Sequence, residues 1–472
     1  MFKKILIANR GEIACRIIQA AKELGVPTVA MYSAVDAKAR HVRLADEAVQ
    51  TGADPLDTYL NIENIVNLAL EVGADAIHPG YGFLAENAEF VKACEDGGVT
   101  FIGPPSSAMA LAGDKARAKE TMRKAGLPVI PGSEGILKDV RAAKTLVKKM
   151  GFPVLLKATA GGGGRGIRVC HDEEELAGNY DMAYSEAEKA FGNGQLILEK
   201  LIMNAHHIEF QILGDKHGSV IHLGERDCSI QRRNQKLIEI APSLLLTAEK
   251  RTEMGSMICK AMKSIGYYNA GTVECLADEE MNIYFMEVNT RIQVEHPVTE
   301  EITGVDIVKE GIRIAAGMPL QYKQEDIKFN GNAMECRITA EDPANNFAPC
   351  MGKVEKYHAP GGIGIRVDSA AFRGYEVTPY YDSMIAKLIV WARTWEETVA
   401  RTKLALQTYA ISGVKTIIPY YLKVMDDEDF KAGRFHNRYV DEHPHLLDYE
   451  VEREREDYMA VLAGAIAFYH RP

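Results

Sequence analysis

Two strand-like runs near the middle of the chain, joined by a short polar turn, constrain the fold more than any other stretch. They occupy residues 271–296, and the turn between them is residues 278–282. Apolar runs separated by such a turn predict a β-hairpin. On the second strand Phe285, Glu287 and Asn289 are two residues apart, so they are expected to share one face.

Carboxylate and amide side chains on this hairpin form a candidate metal site. Glu274 on the first strand adds a second carboxylate to Glu287 and Asn289 on the adjoining strand. Three hard oxygen ligands suit Mg²⁺ or Mn²⁺ bridging phosphates better than zinc, which favours Cys and His. The hairpin therefore predicts a divalent-cation site.

The residues after the hairpin repeat the same alternation. If the chain stays extended, Arg291, Gln293 and Glu295 point one way. A guanidinium, an amide and a carboxylate side by side can hold a small planar oxyanion and take a proton from it. The alternative is that these side chains and the metal candidates are solvated strand faces, because alternation is the commonest strand signal.

Composition limits the class of protein. At 472 residues the chain is expected to hold three or so packed units, and its net charge of −11 argues against a nucleic-acid binder. Its eight cysteines are scattered, which is typical of reduced thiols in a cytosolic enzyme. The N-terminal apolar run is too short for a signal peptide, and no segment is long enough to span a bilayer. We therefore expect a cytoplasmic protein without a membrane partner.

Residues 1 to about 113 alternate short apolar runs with helical periods, which predicts a parallel sheet covered by helices. The turn at residues 9–12 follows the first strand, where ligands often lie, but it has one glycine and so lacks the dinucleotide-binding pattern. A second long turn, residues 78–87, follows a later strand. A plain tight connection is the alternative for this turn.

A glycine-rich loop, residues 161–166, lies between two predicted strands. It is not a Walker A loop, because no Lys-Ser/Thr opens a helix after it. Its bare amides can close over a triphosphate, to which Lys115 and Lys157 would add positive charge. The strand-like residues 195–202 are expected to be a hinge whose backbone groups can bind an adenine edge. A simple surface turn is the alternative for the glycines.

Two later stretches complete the pattern. The stretch 225–236 carries six charged side chains close together, which predicts a solvated loop or, alternatively, a loop that binds an anion. Residues from about 332 onward alternate strands and turns with two helices, predicted at residues 398–409 and 419–426.

The segment from Glu274 to Glu295, with Glu287-Val-Asn289 and Arg291-Ile-Gln293-Val-Glu295, resembles the active-site segment of biotin carboxylase, a member of the ATP-grasp superfamily. The resemblance extends from Ala8 to about Tyr439. It implies an α/β ATP-grasp fold with an N-terminal parallel α/β domain, a mobile glycine-rich lid domain and a C-terminal α+β domain. The expected boundaries are 1–113, 114–331 with the lid at about 130–201, 332–445, and a tail at 446–472.

The resemblance also implies the reaction and the residues that perform it. The family converts ATP, bicarbonate and biotin into ADP, phosphate and carboxybiotin, so Glu295 would deprotonate bicarbonate and Arg337 would stabilise the enolate of biotin. Bicarbonate would be held by Lys236, Arg291, Gln293 and the Val294 amide. The metals would be held by Glu274, Glu287 and Asn289. The cofactor-binding residues would be Lys115, Lys157, Gly163, Gly164, Glu199, Lys200, Leu201, Ile202, His207, Gln231, Asn234, Gln293 and Val294.

Two positions need separate comment. Asn234 stands where many relatives have a histidine that lines the nucleotide pocket, and an amide can form hydrogen bonds but cannot become charged. The run Ala261-Met-Lys263-Ser imitates a biotin-attachment sequence, but it falls within a predicted amphipathic helix. Biotin is therefore expected on a separate carrier protein or domain, and the carboxyltransferase on another subunit.

Several questions remain open from the sequence. The resemblance implies a homodimer, but it does not select the carboxyl acceptor: acetyl-CoA, pyruvate, another acyl-CoA or a 2-oxo acid. Another ATP-grasp ligase is the alternative enzyme, disfavoured by the row 291–295 together with Arg337. A non-catalytic nucleotide-binding subunit is a further alternative, which should lack some of these side chains. The apolar run 459–469 is predicted either to fold back on its own domain or to bind a partner subunit.

Overall fold

The N-terminal part of the chain forms the parallel sheet that its alternating pattern predicts. The fold is a computed structural model that describes residues 1–52, 54–159 and 166–448. The first sheet contains β1 (Ile5–Ile7), β2 (Thr28–Tyr32), β3 (Glu47–Gln50), β4 (Ala76–His78) and β5 (Thr100–Phe101), in the order β3-β2-β1-β4-β5. Its helices are α1 (Gly11–Glu23), α2 (Arg40–Leu44), α3 (Asp57–Leu60), α4 (Ile62–Glu71), α5 (Ala88–Asp96) and α6 (Ser106–Gly113). The central strand β1 is fully buried, as expected for a parallel sheet covered on both faces.

A small antiparallel sheet follows. It contains β6 (Val154–Ala158), β7 (Ile167–Cys170) and β8 (Leu196–Lys200), in the order β7-β6-β8, with the helices α7 (Lys115–Ala125), α8 (Val140–Met150) and α9 (Glu173–Phe191). The alternation of β6 places Val154 and Leu156 in a core with Val147 and Leu176 from α8 and α9. The loop that joins β6 to β7 includes the glycines 161–164, which lie outside the described residues, so Gly163 and Gly164 have no described position.

A large antiparallel sheet forms the rest of the frame. Its strands are β9 (His206–Gly214), β10 (Val220–Arg232), β11 (Gln235–Ala241), β12 (Asn269–Ala277), β13 (Ile283–Asn289), β14 (Asn332–Thr339), β19 (Ile365–Ser369) and β21 (Met384–Ala392). They lie in the order β13-β12-β9-β10-β11-β14-β21-β19. The pairing of β11 with β14 carries this sheet across the expected boundary between residues 331 and 332. The hairpin predicted within residues 271–296 is the β12–β13 pair, whose second strand ends at Asn289.

Helices and short strands cover this sheet. The helices are α10 (Ala248–Ser264), α11 (His296–Thr303), α12 (Ile307–Ala315), α13 (Trp395–Thr408), α14 (Ile418–Asp426), α15 (Glu428–Lys431) and α16 (Tyr439–Glu442). The short strands are β15 (Glu341–Asp342), β16 (Ala348–Pro349), β17 (Gly352–Lys353), β18 (Lys356–His358), β20 (Glu376–Val377) and β22 (Ala410–Ser412). Lys263 lies in α10 and is exposed, as expected for a helical surface lysine. Among the described residues, no helix is long and apolar enough to cross a bilayer.

The prediction of a loop over residues 225–236 is wrong. The strand β10 runs through most of that stretch, and the chain turns only at Arg233 and Asn234, which both adopt positive φ. The charges are tolerated inside the sheet because they are paired: the buried Arg226 donates to the Gln211 side-chain oxygen over 2.7 Å. A charged stretch therefore indicates a loop only when its side chains have no partners across the sheet.

Candidate active site

Lys236 lies at the centre of a buried acid cluster. Its Nζ contacts the Glu209 carboxylate and lies 2.7 Å from Glu295 Oε1 and 3.2 Å from Glu274 Oε1. Glu209 and Glu274 are directly opposite each other on β9 and β12, so the sheet itself brings the acids together. Burial lowers the pKa of Lys236, but the three carboxylates outweigh it and raise the pKa well above its usual value. The ammonium group therefore stays charged at neutral pH.

Glu295 lies between two cations. Its Oε1 accepts from Lys236, and its Oε2 accepts from Arg337 NH2 over 3.0 Å. Burial raises the pKa of Glu295, but Lys236 and Arg337 together outweigh burial, and the pKa is lowered. Glu295 is thus an ionised, buried carboxylate at neutral pH, as a general base must be before it takes a proton.

The extended path predicted for residues 290–295 is wrong. β13 ends at Asn289, and Glu295 has φ −83° and ψ 9° at the start of helix α11, whose first turn contains Pro297. Proline favours the first turn of a helix, so the chain leaves the sheet there. Gln293 and Glu295 still meet at the acid cluster, because Gln293 Nε2 lies 3.0 Å from Glu274 Oε1 and Glu295 pairs with Lys236. Arg291, Gln293 and Glu295 were grouped because of strand alternation, and the structure shows no strand at these residues.

Arg337 projects from β14 toward the same cluster. Its Nε donates to Glu239 Oε1 over 2.6 Å while its NH2 holds Glu295. Burial raises the pKa of Glu239 to about 7, against the lowering effect of Arg337. The guanidinium is thus oriented by two acids and faces the site from the side opposite the hairpin.

The metal candidates lie together on the hairpin. Glu274 is directly opposite Glu287 on β12 and β13, and Asn289 Nδ2 lies 2.7 Å from Glu274 Oε1. Burial raises the pKa of Glu287, and the neighbouring charge of Glu274 raises it further. Two carboxylates and an amide that crowd one another in this way fit a hard divalent cation, which would relieve their repulsion.

Phe285 does not share the face of these ligands. A register shift lies between the Glu274–Glu287 pair and the Cys275–Phe285 pair, so Met286 is an extra residue in the strand. This bulge reverses the alternation, and Phe285 packs in the same core as Val288. The predicted single face for the three residues is therefore wrong for Phe285 and correct for Glu287 and Asn289.

Of the two lysines predicted to bind phosphates, Lys157 lies beside Glu199, together with Lys119, which was not predicted. Lys157 on β6 and Lys119 on α7 both form ion pairs with the Glu199 carboxylate of β8. Burial raises the pKa of Glu199, but the two lysines outweigh it and lower the pKa. Lys115 begins α7, one turn before Lys119. Its positive charge lowers the pKa of Glu287, against the raising effect of burial.

The hinge residues differ in what their backbone groups do. The amide of Lys200 donates to the Pro131 carbonyl over 2.8 Å, and the amide of Leu201 donates to Pro153 over 3.1 Å. The Lys200 side chain donates to the Phe152 carbonyl over 2.7 Å. Within the described part of the chain, the Ile202 amide forms no hydrogen bond. Ile202 is therefore the hinge position best able to bind a ligand through its backbone N–H.

His207 lies against the acid cluster. Its Nε2 is 3.0 Å from Glu274 Oε2 and 3.2 Å from a Glu209 oxygen. Burial lowers the pKa of His207, but the two carboxylates raise it to about 9. The imidazole is therefore placed between the metal candidates and the lysine cluster.

Three predicted residues are less closely placed. Arg291 pairs with Glu86, with Nε 2.9 Å from Oε2, and so lies at the rim. Asn234 is exposed in the turn after β10. Gln231 is opposite Lys236 in the β10–β11 pair and is half-buried. The structure therefore leaves Asn234 outside the buried cluster.

Sequence reasoning missed four residues that shape the site. They are Glu86, Lys119, Glu209 and Glu239. A signal existed for Glu209, because His207, Glu209 and Gln211 alternate with apolar residues on one strand. Lys119 follows Lys115 by one helical turn, which also placed it on the same helix face.

Family models match nearly the whole chain. Residues 1–109 match the biotin carboxylase N-terminal domain, residues 114–323 match the ATP-binding domain of the carbamoyl-phosphate synthase L chain, and residues 335–442 match the biotin carboxylase C-terminal domain.

Relatives and solved structures agree with these matches. The 2-oxoglutarate carboxylase small subunit of Hydrogenobacter thermophilus is 65% identical over 470 residues, covering 100% of both chains. Biotin carboxylase 1 of Bacillus subtilis is 54% identical over 443 residues, covering 93% of this chain and 98% of that protein. The biotin carboxylase domain dimer of the Hydrogenobacter thermophilus enzyme, solved with MgADP, ADP and bicarbonate, has a TM-score of 0.91 and 66% identity, covering 96% of this chain and 100% of that chain.

Proposed function

The chain belongs to the biotin carboxylase family, and we propose that its Lys236–Glu295–Arg337 cluster is the place where bicarbonate is activated and biotin is carboxylated. The protein is an ATP-grasp ligase that uses ATP and bicarbonate to carboxylate biotin on a carrier protein, within a multi-subunit carboxylase. The observation that carries the assignment of roles is the ionised Glu295 held between Lys236 and Arg337.

Bicarbonate binds beside Glu295 in this proposal. Lys236, Gln293, Arg291 and the Val294 amide offer donors around one small oxyanion. Glu295 takes the bicarbonate proton, and the freed oxygen attacks the γ-phosphorus of ATP so that ADP leaves and carboxyphosphate forms. Because the positive charges of Lys236 and Arg337 lower the pKa of Glu295, its carboxyl group is ionised before the substrate arrives.

The second half of the reaction uses the same pocket. Carboxyphosphate breaks down into carbon dioxide and phosphate, and the phosphate takes the ureido proton of biotin. Arg337 then stabilises the biotin enolate, which attacks carbon dioxide. The guanidinium is suited to this role because Glu239 and Glu295 fix its orientation.

The nucleotide lies between the small sheet and the large sheet. Lys115, Lys157 and the glycines 163 and 164 bind its phosphates, and His207 lies beside them. Glu199, Lys200, Leu201 and Ile202 line its base and sugar end, with Gln231 and Asn234 farther out. Glu274, Glu287 and Asn289 hold Mg²⁺ or Mn²⁺, which neutralises phosphate charge during transfer. Two observations support this placement: the Ile202 amide has no hydrogen-bond partner among the described residues, and Glu199 is ion-paired.

The wider organisation follows the family. We place the N-terminal domain at residues 1–113, the ATP-grasp region at 114–331 with its lid at about 130–201, the C-terminal domain at 332–445, and a partner-binding tail at 446–472. The predicted tail contact falls mainly on residues 449–472, which lie outside the described residues. The partners are a biotin carboxyl carrier, a carboxyltransferase subunit and a second copy of this chain. Free thiols at all eight cysteines support a cytoplasmic location.

The carboxyl acceptor is a 2-oxo acid in this proposal. The Hydrogenobacter thermophilus small subunit aligns over 470 of the 472 residues, so the alignment includes most of 449–472. The Bacillus subtilis biotin carboxylase aligns over 443. A segment shared with a 2-oxo-acid carboxylase is the expected place for contacts with such a carboxyltransferase. Identifying the biotinylated protein and carboxyltransferase that co-purify with this chain tests the point.

The roles are tested by separating the two half-reactions. The purified protein should form acid-labile carboxybiotin from labelled bicarbonate, free biotin and MgATP. Arg337→Met should lose carboxybiotin formation while it still cleaves ATP slowly in the presence of bicarbonate alone. Equal loss of both activities, in a variant that remains folded and binds nucleotide, would contradict the separate roles of Glu295 and Arg337.

A further inference from the structure

Lys387 is a fully buried lysine that the proposed reaction does not use. It lies on β21, and its side chain has 0% exposure. Its Nζ donates to the Val294 carbonyl over 2.7 Å and lies 3.2 Å from Glu12 Oε1. Burial of a lysine is costly unless its charge is paired, so these contacts need an explanation.

The lysine joins distant parts of the chain. Glu12 is in the first turn of α1, and Tyr81, in the turn after β4, donates its hydroxyl to the same Glu12 oxygen. The Tyr81 ring centroid is 5.9 Å from Lys387 Nζ. The turns at residues 9–12 and 78–87 thus both lead to Lys387, which in turn reaches Val294.

The charge of Lys387 is maintained in the folded protein. Burial lowers its pKa, but Glu12, Glu335 and Asp368 outweigh burial and raise the pKa above its usual value. Asp368 is directly opposite Lys387 on β19. Both carboxyl oxygens of Glu335 are buried and form no hydrogen bond with the described residues. Lys387 therefore carries a fixed positive charge behind the active site.

The position of Lys387 relative to Arg337 gives it a specific role. The two residues are directly opposite each other on β21 and β14, so their side chains share one face of the sheet. Arg337 holds the Glu295 carboxylate, and Lys387 holds the carbonyl of the preceding residue, Val294. Two neighbouring cations thus anchor two successive residues of the same segment.

That segment needs side-chain anchors. Residues 290–295 lie between the end of β13 and the start of α11, outside any strand ladder. The Thr290 amide is held by Glu86 at one end, and the Val294 carbonyl is held by Lys387 at the other. The direction of the Val294 carbonyl fixes the plane of the Val294–Glu295 peptide, and with it the backbone from which the Glu295 side chain projects.

We propose that Lys387 is a positioning residue for bicarbonate activation. By holding the Val294 carbonyl, it sets the backbone of residues 293–295 so that Glu295 and the Val294 amide face the bicarbonate pocket. Glu12 and Tyr81 support Lys387 from the N-terminal domain and thereby connect that domain to the reaction. This inference rests on the proposed function, because it acts through Glu295 and the Val294 amide.

Three variants test the proposal. Lys387→Met keeps the length of the side chain but removes its charge and its hydrogen bond. Lys387→Met combined with Glu12→Gln also removes the charge of the carboxylate that pairs with Lys387 over 3.2 Å. Lys216→Met is the matched control, because Lys216 likewise donates to a backbone carbonyl, that of Ala315, and faces the Tyr268 ring at 5.3 Å, but outside the site.

The measurements are Tm and bicarbonate-dependent ATP cleavage with separate KM values for bicarbonate and ATP. We expect Lys387→Met to lower Tm, raise the bicarbonate KM on the order of tenfold or more and lower kcat, with the ATP KM within about twofold of the parent. The double variant should regain most of the Tm but keep the raised bicarbonate KM. Lys216→Met should keep both KM values.

The possible results are distinguishable. A double variant that regains the parent bicarbonate KM together with Tm would overturn the proposal, because Lys387 would then be structural only. An unchanged bicarbonate KM in Lys387→Met would also overturn it. If the parent protein itself showed no bicarbonate-dependent ATP cleavage, the proposed function would fail instead.

Discussion

The site has two halves, the charge cluster around Lys236 and the ion pairs around Glu199. They hold similar charges, but the first half is buried and the second is partly exposed to solvent. Around Lys236, the partners Glu209 and Glu274 lie on strands of the large sheet and Glu295 lies at the start of helix α11. The side chains of Arg226 and Glu209 have 0% exposure. Around Glu199, the partners are Lys119 on helix α7 and Lys157 on strand β6 of the small sheet. Their side chains are 22% and 27% exposed. The groups around Lys236 are therefore buried and paired before any substrate arrives, whereas the two lysines around Glu199 remain accessible to solvent.

This difference assigns different physical roles to the two halves. A buried, ion-paired base costs no reorganisation at the moment of reaction, which is the advantage of a preorganised site. Lys119 and Lys157 are partly exposed, so either one can turn to a phosphate while the other keeps the buried Glu199 carboxylate paired. The comparison predicts that stability depends on the charges of the large sheet and hardly on those of the small sheet.

The largest effect is expected from Arg226→Met. The Arg226 guanidinium donates to Gln211, Thr299 and Thr272 and pairs with Glu209, all of them buried. Breaking such a buried network by removing one partner costs about 3–5 kcal/mol. Urea denaturation should show this loss in the free energy of unfolding. A loss below about 1 kcal/mol would mean that the large sheet tolerates unpaired charge. Stability would then not depend on the charges of the large sheet, contrary to the prediction.

Sequence alone could predict much of the large-sheet half because charged residues there interrupt apolar strands. This pattern or the family resemblance identified Glu274, Glu287, Lys236 and Arg337. In the structure, Lys236 and Arg337 contact Glu295, and Glu274 contacts Lys236. The path of residues 290–295 was predicted incorrectly because alternation cannot distinguish an extended strand from a segment that turns into a helix.

Other features depend on contacts that no local pattern contains. The bulge at Met286 reverses the face of Phe285, and it arises from register between two strands. Glu86 reaches Arg291 across 205 positions of sequence. The buried charges of β10 imitate a loop in the sequence because their partners, such as Gln211 on β9, lie on other strands.

The next largest effect is expected from Glu287→Gln. The pKa of this carboxyl is already raised by burial and by Glu274, so the neutral amide should leave the fold intact. Loss of a metal ligand should lower ATP turnover on the order of a hundredfold or more. Glu280→Gln, in the exposed turn of the same hairpin, is the control and should keep full turnover. Normal turnover in Glu287→Gln would remove this residue from the metal site.

The buried side chain of His41 makes the free energy of unfolding depend on pH. Burial lowers the pKa of His41 to about 4, and neither ring nitrogen has a hydrogen-bond partner among the described residues. Between the unfolded value near 6.5 and about 4, the unfolded chain binds a proton that the folded chain does not, so stability falls as pH falls. His41→Leu should reduce this slope by about 1.4 kcal/mol per pH unit. A slope that stays the same in His41→Leu would contradict this role of His41.

The smallest effect is expected from Lys119→Met. Glu199 keeps its ion pair with Lys157, so no carboxylate is left unpaired. The free energy of unfolding should change by less than about 1 kcal/mol, as for partly exposed pairs. The same urea denaturation used for Arg226→Met measures it. A loss as large as that of Arg226→Met would show that the small sheet depends equally on its charges.

The central claim is that the buried Glu295 is the base for bicarbonate, and Glu295→Gln tests it most directly. In the parent protein, free biotin should stimulate bicarbonate-dependent ATP cleavage. In Glu295→Gln that stimulation should disappear while the Kd for ATP stays near the parent value, because the base acts on bicarbonate rather than on the nucleotide. Cleavage of ATP at the parent rate by Glu295→Gln with bicarbonate present would contradict the account and assign the base to another residue.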